Sequence, residues 1–275
     1  MFKSIARKLF PSVGPAPKLE DTIEQTAPTE VAFKPYIARD RVFEDLVFDF
    51  HIANEVGHHW YAASPQQFMP ERKWCYDRIK PGMTVVDCGA HHGMMTVIFA
   101  KRVGPTGRVI AYEALPENAD VIRANAALSG LHNVTVRSVG VGAAPAQVGY
   151  DRNQSNIMVQ AGSESGDTIS IVDLDSDLPG DVRVDFLKVD VEGFEVEALS
   201  GMRRVLAMRP IIDLEIHNFL SPNRMTSLSA LAAFFGGYRF TALGDVFGQE
   251  MDMGTTFNVD YLAQFDNPHV FCEPL

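Results

Sequence analysis

Two short segments of this chain carry ionisable groups spaced two residues apart. "FLKVDVEGFE" holds Asp190 and Glu192, and "IIDLEIH" holds Glu215 and His217. Side chains at i and i+2 of an extended strand leave on one face, so each pair points the same way. Three carboxylates and an imidazole at neighbouring strand ends suit two kinds of chemistry. His217 can act as a general base toward a hydroxyl, with Asp190, Glu192 and Glu215 orienting it and the acceptor. The same groups can instead hold a divalent cation such as magnesium or manganese. The residues alone leave both open. Glu195, one turn on, is read as a cap favoured by the N-terminus of the following helix.

A third segment, "VVDCGAHHGMMT" (residues 85–96), reads as strand, glycine turn and helix. Gly89 permits a tight turn, and Gly93 lets the helix start close to the sheet and to a ligand. The pattern is GxxxG after an acidic residue, and so differs from the dinucleotide fingerprint. Asp87 would repel a pyrophosphate but suits an ammonium group, such as the one on the methionine end of S-adenosylmethionine. The next strand, "GRVIAYEA", ends in Glu113, roughly 20 residues past the turn, where an acid accepts hydrogen bonds from both ribose hydroxyls. Together they read as an S-adenosylmethionine site. His91 is expected to face the cofactor, and His92 to face solvent or the helix entry.

The elements that must position these groups alternate. Strands "MTVVDCGA", "GRVIAYEA", "NVTVRSVGV", "VDFLKVDV" and "PIIDLEIH" are separated by helices, among them "GMMTVIFAKRV" and a single helix over "GFEVEALSGMRRVLAM". "YRFTAL" and "TTFNVDYLAQ" are assigned to antiparallel edge strands. This order predicts an α/β fold with a doubly wound, mostly parallel, Rossmann-like sheet. Three regions are expected: a flexible arm over 1–40, a β/helical cap over 41–80, and a catalytic domain over 81–275. In the cap, "VFEDLVFDFHIAN" alternates as a hairpin, and "QQFMPERKWCYDRI" reads as a helix.

Composition sets bounds. The chain has 275 residues and a formal net charge of −11 at pH 7, which argues against a nucleic-acid partner. Cys75, Cys88 and Cys272 are scattered, which suits a reducing, cytoplasmic setting and neither a disulfide framework nor a zinc site. No transmembrane segment is expected. The basic, amphipathic start "MFKSIARKLF" is read as a frayed helix or a surface-binding one.

From about Phe48 to Phe257 the sequence resembles the FkbM family of S-adenosylmethionine-dependent methyltransferases. The resemblance rests on "FLKVDVEGFEVEALSGM", with its D-x-E-G-x-E arrangement, and on "VVDCGAHHG", where His91 stands in place of the usual Asn. It implies a seven-stranded class I methyltransferase sheet, with Asp87, Gly89, Ala90, His91, Gly93, Glu113 and Asp190 at the cofactor. It also implies Glu71, whose helix closes over the methionine end. By analogy with metal-dependent catechol methyltransferases, Asp190 and Glu215 would be metal ligands, with His217 a third. The implied reaction is O-methylation of a small-molecule or saccharide acceptor, by a chain that can form a homo-oligomer. N-methylation and a non-catalytic cofactor-binding regulator or scaffold are the alternatives. Trp60 and Tyr61 are read as cofactor-entrance or core residues, and Asn156 and Asn218 as acceptor-binding or loop residues. His58 and His59 are too little for a metal site.

Overall fold

Apolar residues alternate on both sides of Glu44-Asp45, and the segment folds into an antiparallel hairpin of β1 (Tyr36–Phe43) and β2 (Leu46–Ile52). Phe43, Phe48, Phe50 and Ile52 form its buried face. β1 starts inside the arm expected to reach residue 40. The computed structural model describes residues 33–62, 69–149, 167–244 and 249–275. The readings placed on residues 1–32 and on Asn156 lie outside the described residues.

After the hairpin come α1 (Glu55–Tyr61) and α2 (Met69–Arg78). His58 and His59 therefore lie on a helix, where His58 Nδ1 pairs with the Tyr36 hydroxyl at 2.9 Å. The alternating core follows: β3 (Thr84–Cys88), α3 (Met94–Val103), β4 (Arg108–Tyr112), α4 (Pro116–Leu128) and β5 (Val134–Arg137). His51 N–H donates to Asn125 Oδ1 at 2.6 Å, which ties the hairpin to α4. β6 (Gly140–Val141), β7 (Ala146–Gly149) and β8 (Thr168–Val172) then form a separate three-stranded sheet. The run "NVTVRSVGV" is thus divided between two sheets at Ser138-Val139.

The second half holds α5 (Leu174–Asp177), β9 (Phe186–Val189), α6 (Glu195–Ser200), α7 (Arg203–Ala207) and β10 (Ile211–Glu215). It continues through α8 (Arg224–Ala232), β11 (Tyr238–Leu243), β12 (Glu250–Gly254), α9 (Val259–Leu262) and β13 (His269–Pro274). The single helix expected over "GFEVEALSGMRRVLAM" is two. Gly201 lies against the carbonyl of Gly142, where a Cβ would collide, and the chain bends there. "TTFNVDYLAQ" is not a strand: the Asn258 side chain accepts the Tyr261 N–H and starts α9. In the main sheet the antiparallel strands besides β11 are β12 and β13.

The main sheet runs β12-β11-β13-β10-β9-β3-β4-β5. β10, β9, β3, β4 and β5 are parallel, and β13, β11 and β12 join antiparallel. Six of the seven strands expected are present, and β13 and β12 stand in place of "TTFNVDYLAQ" on the antiparallel side. Every residue of β3 and β9 is buried, as a strand covered on both faces requires. All three cysteines are free and buried. No helix among the described residues is long and apolar enough to cross a membrane.

Candidate active site

In a doubly wound sheet, ligands collect at the carboxyl ends of the parallel strands. The turn after β3 shows why glycine is needed there. Gly89 has φ +81°, and a Cβ on it would strike the Asp190 carbonyl oxygen at the end of β9. Gly93, at φ +83°, opens α3 with no side-chain cap. Asp87 is fully buried; its Oδ2 accepts from Thr96 Oγ1 at 2.5 Å, and its Oδ1 has no partner among the described residues. Burial raises its pKa, against the pull of Lys188. Glu113, at the end of β4, accepts the His91 N–H at 2.8 Å and the Leu115 N–H at 3.0 Å. Burial outweighs those donors and lifts its pKa to about 7.

His91 lines both cavities, at φ 51°, with Nδ1 2.6 Å from the Tyr61 hydroxyl. His92 does not face solvent. It is fully buried, stacked on His91 at 4.3 Å, and covered by Gly57, whose Cβ would meet the imidazole at 2.5 Å. Burial keeps both rings neutral, with pKa values of about 3 for His91 and about 4 for His92. Ala90 is buried beside them.

The second group gathers where β9 and β10 end. His217 is buried; its Nδ1 is 2.7 Å from Glu195 Oε1, and its Nε2 is 3.3 Å from Glu192, 3.8 Å from Asp190 and 3.9 Å from Glu215. All four residues singled out in the sequence are therefore brought together. Burial disfavours the imidazolium, but the Glu195 bond and the carboxylates of Glu215, Asp190 and Glu192 lift the pKa to about 9. Burial likewise disfavours the Asp190 carboxylate, but Lys188, with Nζ 2.7 Å away, and His217 take it down to about 2. Burial pushes Glu192 up to about 7, with His217 opposing. Ligand atoms of Asp190, Glu192 and His217 lie within 4.8 Å of one another, so the structure gathers Glu192 rather than Glu215 with the other two metal candidates.

Glu195 does more than cap. Its Oε1 accepts the Gly193 N–H at 2.9 Å and also fixes His217. Asn218 is buried, and its amide donates to the Leu262 and Phe265 carbonyls at 3.0 and 2.9 Å.

Behind these groups lies a buried charge network that the sequence reading missed apart from Glu71. His269 Nδ1 is 3.1 Å from Asp213 Oδ1, His269 Nε2 is 3.6 Å from Glu215, and Lys188 Nζ is 3.8 Å from Glu71. Burial pushes Glu71 up to about 7. For His269 burial opposes the charge, but Glu215, Glu71 and Asp213 raise it to about 10. Lys188 could have been found, since it stands two residues before Asp190 on one strand face. His269 had no local signal; its partner Asp213 is 56 residues away.

Two cavities open on this assembly. The larger, of about 540 Å³, has an apolar wall of Ala114, Gly140, Val141 and Ile171 and a polar one of Asp190, Glu192, Glu215 and His217. The smaller, of about 140 Å³, is bounded by Asp87, Glu71, Arg72 and Lys188 among others. Trp60, Tyr61, Gly89 and His91 border both. These features fit S-adenosylmethionine: an apolar wall for a flat base, Glu113 in the lining of the larger cavity, and an orphaned carboxylate oxygen on Asp87 beside the smaller one for an ammonium.

Residues 87–242 match the methyltransferase FkbM domain family. Protein-L-isoaspartate O-methyltransferase of Methanopyrus kandleri is 37% identical over 86 residues, 30% of this chain and 36% of that protein. Methyltransferase 1 of Beauveria bassiana is 28% identical over 157 residues, 46% of this chain and 62% of that protein. The chain thus spans between 36% and 62% of the length of these two curated relatives. Among solved structures, an O-methyltransferase from Bacillus cereus in complex with SAH aligns with a TM-score of 0.46 and 16% identity, covering 77% of this chain and 82% of that one. With more than half of its length matched, this chain belongs to the FkbM methyltransferase domain family.

Proposed function

We propose that the protein transfers a methyl group from S-adenosylmethionine to a hydroxyl oxygen of a small acceptor, with a sugar, glycan or natural-product hydroxyl as its type. The observation that carries this reading is the Glu195–His217 pair, whose second imidazole nitrogen looks toward the larger cavity among three carboxylates. Bound S-adenosylmethionine supplies a methyl activated as a sulfonium. The chain's own groups do the rest. Asp87, Gly89, Ala90, His91, Gly93 and Glu113, with Asp190 and Glu71, form the cofactor cradle. His217 takes the hydroxyl proton on Nε2 as the oxygen–carbon bond forms and the sulfur–carbon bond breaks, leaving S-adenosylhomocysteine. Glu195 holds the ring in the tautomer that this transfer needs.

The closeness of Asp190, Glu192 and His217 supports a second reading, in which a divalent cation sits among them and Glu195 steadies the ligating imidazole. Glu215 is then a neighbour able to join the set. The test is turnover of His217→Ala with and without chelator. Under the first reading, turnover falls by roughly 10²–10⁴, wild-type activity climbs as pH approaches about 9, and chelators change nothing. Under the second, chelation abolishes wild-type activity and added divalent ion restores it. Full activity in His217→Ala with no chelator effect rules out both.

A further inference from the structure

The larger cavity bears four carboxylates, Glu113, Asp190, Glu192 and Glu215, and neither lysine nor arginine among its described lining residues. The nearby cations Lys188 and Arg72 border the smaller cavity instead. Asp190 is neutralised by Lys188 at 2.7 Å. Among the described residues, the ion-pair contacts of Glu192 and Glu215 are with imidazoles: His217, at 3.3 and 3.9 Å, and His269, 3.6 Å from Glu215. A phosphate or carboxylate entering this space faces four carboxyl side chains and the imidazoles of His91 and His217, with no lysine or arginine among the described lining residues. Like-charge juxtaposition is how proteins reject wrong partners.

The same cavity shows two large aromatic rings to solvent. Phe219 is 53% exposed and Trp60 is 43% exposed. Phe219 stands edge-on to His217 with ring centroids 6.0 Å apart. Trp60 lies in the last turn of α1 beside Tyr61, whose hydroxyl contacts His91. One ring therefore flanks the imidazole and the other flanks the cofactor loop. Ring faces placed this way pack on apolar C–H surfaces and attract cations.

We propose that the acceptor of this cavity is an uncharged or cationic ring-bearing molecule gripped by Trp60 and Phe219, and that anionic acceptors, including nucleic-acid phosphates and peptide carboxylates, are rejected. This rests on the methyl-transfer reading given above. The experiment uses the full chain with four probes: methyl glucoside, its 2-amino analogue, its 6-carboxylate and its 6-phosphate. S-Adenosylhomocysteine formation is measured for each, and S-adenosylhomocysteine affinity is measured separately by calorimetry. We expect the neutral or amino probe to exceed both anionic probes in kcat/KM by at least about tenfold. Trp60→Ala and Phe219→Ala should each raise the acceptor KM about threefold to tenfold. Phe219, which does not border the smaller cavity, should leave S-adenosylhomocysteine affinity nearly unchanged when replaced by Ala. Failure of S-adenosylhomocysteine to bind overturns the underlying reading. With it bound, equal or better use of an anionic probe, or no turnover of either non-anionic probe, overturns the charge rule. Unchanged KM in both variants overturns the aromatic grip.

Discussion

One carboxylate oxygen, Glu195 Oε1, lies 2.7 Å from His217 Nδ1 while accepting the Gly193 N–H at 2.9 Å. Helix start and imidazole orientation therefore share an atom. Glu195→Gln keeps an oxygen for the glycine N–H but removes the charge that helps to hold the imidazolium. We expect an intact fold, turnover lowered about 10²-fold, and a pH–activity rise displaced to lower pH. An unchanged pH profile would show that Glu195 is a cap alone.

Cofactor affinity should depend on the two strand-end acids. Asp87→Ala and Glu113→Ala should each weaken S-adenosylmethionine binding by about 1–3 kcal/mol, the range for losing a charge-assisted hydrogen bond. Calorimetry on folded variants measures this, and wild-type affinity in both would remove them from the cofactor site.

Gly89→Ala tests the turn. The added Cβ meets the Asp190 backbone oxygen at a positive φ, so both the loop and the end of β9 must shift. We expect a stability loss of about 2–4 kcal/mol and no measurable cofactor binding. Denaturant titration reads the first and calorimetry the second.

Stability should fall as the medium becomes more alkaline. Glu71 and Glu113 are raised to about 7, so between the unfolded carboxyl range and neutrality the folded state binds more protons than the unfolded one. His269 is raised to about 10, so its contribution is complete below the unfolded histidine pKa and is lost as pH climbs through the folded value. His91 and His92, held neutral by burial, act with the opposite sign below the unfolded histidine pKa, so the fall is expected above it. The melting temperature of the ligand-free protein should decline from about pH 7 to about pH 9. A melting temperature that rises across this interval contradicts the assignment.

The parallel core was legible because β3, β4, β9 and β10 are short apolar runs punctuated by glycine, acid or proline. Pairs two residues apart, Asp190 with Glu192 and Glu215 with His217, were readable for the same reason: strand periodicity fixes which side a residue takes. What period could not carry was anything set by a distant partner. His92 looked like a polar loop residue, yet Gly57 and Tyr61 from α1 close over it. The break at Gly201 comes from the Gly142 backbone, and the Asp213–His269 contact from strands distant in sequence. Asn258, by contrast, was a local signal: a cap residue that outweighed the apparent strand alternation around it.

The sheet order also dictates a sequence of events during synthesis. β13 lies between β10 and β11 although it follows both along the chain. A polypeptide emerging from the ribosome leaves the β10 edge open until residues 269–274 appear, since β11 has nothing to pair with on that side. His269 arrives with β13, so Asp213 gains its imidazole partner at the same moment. An open edge beside a buried acid that still lacks its imidazole partner is a state that chaperones hold and aggregates exploit. Insertion of one late strand thus makes closure of the sheet and electrostatic completion of the site a single cooperative step.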